Sequence, residues 1–144
     1  MTLFNPTRDQ ARQLFFDTWA KFKQQQMLTD LEKIALHVIQ MHPEYHDVLN
    51  TPEQYRQREY FPLMGETNPF LHMSLHLSIL EQMTIDQPVG IKHLYTELCS
   101  KQHAHDAQHV ILDCLAETIW YAQQNKLALD SERYLNLIKQ TLKS

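Results

Sequence analysis

Glycine is nearly missing from this chain, with two residues in 144. That scarcity excludes a glycine-rich phosphate cradle, and no nucleotide cofactor is indicated. Together with few β-branched runs, and six prolines that fall mostly at helix starts, it predicts an all-α protein. A surplus of positive charge is missing too. Thirteen Lys+Arg stand against 17 Asp+Glu, for a net charge of −4, so no basic field exists to hold a nucleic-acid backbone. No stretch reaches the roughly 18 uncharged apolar residues of a membrane span, and the amino terminus, Met1 to Asp9, has no apolar signal core. A cytoplasmic protein with no nucleic-acid or membrane partner is expected. Cys99 and Cys114 are the only cysteines and form no C-x-x-C pair, which reads as two reduced, mostly buried thiols. Several chemical signatures are also absent: H-E-x-x-H of zinc peptidases, E-x-x-H of ferritin-like di-iron sites, and a serine in a nucleophile elbow. No catalytic residue is therefore designated.

What the chain does have is an unusual run from Asn68 to Thr84, with apolar residues on nearly every side of a helix. Asn68 suits an N-cap and Pro69 the first helical position. Projected at about 100° per residue, Ile79, Leu80 and Met83 share a side with His72 and His76, while Ser74, Ser78 and Glu81 fall across the axis. This is the expected buried central helix of a single-domain bundle, 1–144, of five to six main helices. A chain of 144 residues buries a core of its own without a disulfide or metal to staple it.

Around it the elements read in order. Asn5-Pro6 opens a first helix to about Gln25, with Ala11, Leu14, Phe15, Thr18, Trp19 and Phe22 as its core stripe. Thr29 and Glu32 form a capping box for a second helix, whose apolar side carries Leu31, Ala35, Val38, Ile39 and His42; His37 faces solvent. Pro43 ends it, and a short helix follows that places His46 one turn beyond His42. Thr51-Pro52 starts another short piece to about Arg58. Residues 59–67, with Pro62 and Gly65, read as a loop. Later helices are expected at about 88–101, 103–125 and 130–142, with His93 and Glu97 on the surface. The long one holds His105, His109, Asp113 and Glu117 at spacings of four, and an apolar arc from Cys114 through Ile111, Leu115, Leu112 and Ala116 to Trp120.

Nine histidines are the compositional anomaly. Three segments place a pair on a side that should meet other helices: His42 with His46, His72 with His76, and His105 with His109. Neutral imidazole is a common ligand of zinc, iron, nickel and copper, and i, i+4 pairs let two rings take one ion. Bundle interiors host such centres. The leading expectation is a divalent transition metal, iron or zinc, held by some of His42, His46, His72, His76, His105, His109 and Asp113, with Glu44 as another candidate carboxylate. The alternative is a metal-free interaction module whose histidines are satisfied core residues and whose aromatics, Tyr55, Tyr60 or Phe61, meet a protein partner. Protonation of the cluster as a pH switch is a third reading. The partner, whether small molecule or protein, is unspecified, and a homo-oligomer is left open.

Several of these runs occur together in one known family. Phe4-Asn5-Pro6 with Arg8 to Arg12, His42-Pro43-Glu44-Tyr45-His46, Gly65 through His76, Ile85-Asp86-Gln87-Pro88, and His109 leading to Asp113 through Glu117 resemble the bacterial family catalogued as domain of unknown function 1841. The resemblance covers almost the whole chain. It implies a bacterial, cytoplasmic protein and brings no established activity. Histidines spread over several helices are also similar, at a distance, to hemerythrin-like and DinB-like proteins.

Overall fold

Four of the helix starts marked in the sequence are helix starts in the computed structural model, which describes residues 8–61 and 64–143. The expected opening at Asn5-Pro6 and the loop residue Pro62 lie outside those residues. Thr29 accepts from the Glu32 backbone N–H at 3.1 Å, and Glu32 Oε1 accepts from the Thr29 N–H at 2.9 Å, which closes the capping box. Asn68 Oδ1 accepts from the N–H groups of Phe70 and Leu71 at 3.0 and 3.2 Å, and Asp130 Oδ1 from that of Arg133 at 3.1 Å. Pro52 restarts the chain after Thr51.

Among the described residues the secondary structure is wholly helical: α1 (Arg8–Lys23), α2 (Asp30–Gln40), α3 (His46–Asn50), α4 (Pro52–Tyr55), α5 (Pro69–Ile85), α6 (Ile91–Cys99), α7 (Ala104–Asn125) and α8 (Ser131–Leu142). A 3-10 turn, Pro43–Tyr45, joins α2 to α3. Eight helices thus stand where five to six main ones were expected, two of them being the short pieces after Pro43 and Pro52. The chain divides into two compact units, Met1–Leu77 and Ser78–Ser144, the division falling within α5. Along α5, Phe70, Met73, His76, Leu77, Ile79, Gln82 and Met83 are buried, and Ser74, Ser78 and Glu81 are half-buried. Both sides of the helix are therefore largely covered.

In the first unit α1 packs on α2 and α3. Phe15, Phe16, Ala35, Val38, Ile39 and Leu49 form its core, and the Phe16 and Phe70 rings lie 5.3 Å apart. Phe22, expected in that core, is 41% exposed, its ring stacked on Trp19 in the last turn of α1. Two buried positions are missing from the expected stripe, Phe16 and, 2% exposed, Arg12. Its Nη1 donates to the carbonyls of Tyr55, Arg56 and Arg58 at 3.2, 3.2 and 2.9 Å, and its guanidinium lies 4.8 Å from the Phe70 ring and 5.5 Å from Tyr60. A buried cation needs such partners, and the loop after α4 supplies them. Tyr60 is half-buried accordingly, while Phe61 is 53% exposed. Glu66 is also tied in, accepting from Arg58 and from the Phe61 N–H.

In the second unit α6, α7 and α8 pack on one another around Ile91, Leu94, Leu98, Ile111, Leu115 and Ile138. Gly90 caps α6 at φ +102°, a conformation suited to glycine, and Asp86 accepts from the N–H groups of Gly90 and Lys92. These contacts start the helix at Ile91 and not near Pro88. Trp120, at the end of the expected apolar arc, is 59% exposed. Buried Tyr134 donates to Gln82 Oε1 at 2.7 Å.

Two outcomes are expected. Tyr134→Phe leaves a buried amide oxygen without its donor and lowers unfolding free energy by about 1–3 kcal/mol in denaturant titrations, with helical circular dichroism unchanged. The Glu32 carboxyl is held below its usual range, first by Lys21 at 2.8 Å and then by the Thr29 backbone. Its folded pKa is depressed, so its stabilisation is complete above the ordinary carboxylate pKa and is lost as pH falls through the folded value. Melting temperatures should accordingly drop less on acidification in Glu32→Gln than in the wild type.

Candidate metal centre

Pro43 disfavours a helical conformation at His42, whose backbone leaves α2 at φ −128° and ψ 66°. The His42 N–H turns to the Ile39 carbonyl at 3.0 Å, and the Val38 carbonyl, its ordinary helical acceptor, takes the ring instead: Nδ1–H donates to it at 2.8 Å. A carbonyl only accepts, so the proton sits on Nδ1 and Nε2 of the neutral ring presents a lone pair. That nitrogen lies 3.1 Å from His72 Nε2. One turn along α5, His76 completes a group: a ring nitrogen from each of His42, His72 and His76 lies within 4.8 Å of the others. His42 and His76 are buried and His72 is half-buried. Had His72 and His76 stood more than about 10 Å from every other histidine and carboxylate, a shared site would have been untenable.

The Tyr45 ring stacks on His42, 5.4 Å away at 12°, and meets His72 edge-on at 6.0 Å. Burial pushes the Tyr45 phenol up, with the Glu44 charge adding to the shift, so it is protonated at neutral pH. Neither Tyr45 nor the Val38 carbonyl was picked out from the sequence. The position of Val38, four residues before a histidine that precedes proline, is the local signal for its role.

His46, Asp113 and Glu44 do not belong to this group. His46 is turned away: its Nε2–H donates to the Ile39 carbonyl at 2.9 Å and its ring lies 4.4 Å from Trp19. Asp113 is exposed on α7, and Glu44 is exposed in the 3-10 turn. In the second unit His105 Nε2 and His109 Nε2 lie 3.0 Å apart, on the first turns of α7. Burial, followed by the charges of Glu117 and Asp113, pushes the Cys114 thiol up to about 11, so it is not a thiolate at neutral pH. Surface His93 pairs with Glu97 at 2.6 Å. Among the described residues no carboxylate or thiol shares the histidine group.

The model of a family described as "Domain of unknown function (DUF1841)" matches residues 7–140. The chain belongs to this family. All three histidines and the Val38 carbonyl lie within the match. No curated protein and no solved structure matches the chain, so the distant likeness to hemerythrin-like proteins gains nothing from them. The fold of this chain thus brings together a nitrogen donor set whose first ring is held by backbone, an arrangement able to take one metal ion. It also separates two roles within His-Pro-Glu-Tyr-His. His46→Ala should lower thermal stability, by removing one of the two donors to the Ile39 carbonyl and uncovering Trp19, and should leave metal uptake by the protein unchanged; His42→Ala should reduce that uptake.

Proposed function

We propose that this DUF1841 protein binds one divalent transition-metal ion, iron or zinc, through His42, His72 and His76. The observation that carries the reading is the tautomer of His42, fixed by Val38 so that a lone pair faces the His72 nitrogen at 3.1 Å. Ligating histidines characteristically donate their other N–H to a carbonyl or carboxylate in this way. Imidazole nitrogens about 2.0–2.1 Å from one ion stand roughly 3.0–3.4 Å apart, depending on geometry, and the His42 to His72 separation already fits. An all-nitrogen donor set suits zinc, iron, copper or nickel and disfavours calcium and magnesium, which take oxygen ligands. Bound there, the ion is a Lewis acid, able to polarise a small substrate or activate water. His105, His109 and Asp113 remain candidates for further ligands on sequence grounds. A cytoplasmic location fits two free cysteines and the lack, among the described residues, of any helix long and apolar enough to cross a membrane.

One observation favours a second reading. At 3.1 Å a His72 Nε2–H can donate to His42 Nε2, satisfying both rings without an ion, and the protein is then an interaction module with exposed Phe61 among its contact residues.

Elemental analysis by mass spectrometry of untagged protein, purified without chelator or added metal, separates the two. About one iron or zinc per chain is expected, with His72→Ala and His76→Ala each abolishing retention, and His109→Ala reporting whether that imidazole belongs to the ligand set. Less than about a tenth of an equivalent, unchanged after incubation with iron(II) or zinc and desalting, favours the second reading, in which the same variants lose stability and have no metal to lose.

A further inference from the structure

The charge balance of the histidine group goes beyond metal binding itself. His42, His72 and His76 are neutral as ligands, so a divalent ion among them keeps its full double charge. No carboxylate or thiol shares the group among the described residues, and Glu44, although adjacent in sequence to Tyr45, is exposed. Two of the three rings are buried, His42 to 2% and His76 to 0% exposure, so water screens that charge poorly. A divalent charge on neutral ligands in such surroundings strongly favours an anion at its side. His72 is the half-buried member of the group.

We infer that the metal ion held by His42, His72 and His76 takes a small monoanion from solution as an additional ligand, so that this site recognises an anionic small molecule and not a neutral or cationic one. The inference rests on the metal-site reading above. In the absence of another anion, hydroxide from bound water fills the same role, since a divalent ion with neutral ligands acidifies its water. Binding forms one coordination bond, displaces that water or hydroxide, and involves no redox step.

Cobalt(II) and azide test this with separate readouts. Uptake of cobalt(II) by the full chain is followed by its visible absorption, and azide is then titrated against the loaded protein, with imidazole as a neutral competitor. The expected result is a cobalt spectrum that His42→Ala and His76→Ala lose, and a saturable shift of that spectrum at one azide per cobalt that acetate reproduces and imidazole does not match at equal concentration. A cobalt spectrum indifferent to azide and acetate overturns the inference while leaving metal binding intact. No cobalt spectrum in the wild type overturns both. Circular dichroism of each variant shows whether it is folded; if either alanine variant fails to fold, His72→Gln replaces it, and a cobalt spectrum kept by folded His72→Gln counts against the site.

Discussion

The hydrogen bond from His42 Nδ1 to the Val38 carbonyl is the constraint on which the candidate site depends. It exists because proline ends α2. The last carbonyls of any helix lack intrahelical donors and must find others. Here the His42 ring provides one for Val38, the His46 ring joins the His42 N–H on Ile39, and the chain continues at once into the 3-10 turn and α3. The ring that satisfies Val38 is thereby fixed in tautomer and orientation. A backbone requirement at a helix end and the preparation of a ligand are one event.

The partner rings depend on α5, and α5 begins against a buried cation. Arg12 binds the carbonyls of residues 55, 56 and 58 and lies over Phe70, while Asn68 caps the same first turn. The segment after α4 is thus held by charge-assisted hydrogen bonds, with Arg8 on Glu59 and Arg58 on Glu66 reinforcing it. Because His72 lies two residues beyond Phe70, the placement of its ring is coupled to that clamp. Core packing of Phe16 against Phe70 acts in the same direction. The site inherits its geometry from ordinary stability interactions on its own side of α5.

Features set by neighbours in sequence were legible before any coordinates. The Thr29 capping box, the Asn68 and Asp130 caps and the proline restarts depend on residues within one turn, so their residue types suffice to place them. Burial of Arg12 was not legible, since a lone arginine on an apolar stripe reads as a snorkelling surface charge until three carbonyls converge on it. Phe22 and Trp120 show the converse error. Periodicity says that a residue lies on the apolar side of its helix, and it does not say that another element reaches that far along the axis. The Asp113 case is similar: it continues a row of four-residue steps, and the accumulated drift carries it out to solvent.

The two H-x-x-x-H motifs of the first unit show why spacing alone cannot name a ligand set. His72 and His76 lie in one uninterrupted helix, where a step of four returns to within about 40° of the same face, so the second ring follows the first into the interior. His42 and His46 have the same spacing, but Pro43 lies between them and the helix that would align them does not exist. Each ring is free to satisfy a different carbonyl, and they do so in different directions: one toward His72, the other against Trp19. The break therefore divides one apparent pair into a candidate ligand and a helix cap. It is also what makes His42 a better-prepared ligand than continuous α-helix would, since an unbroken turn would have given the Val38 carbonyl to the His42 N–H and left the imidazole unanchored.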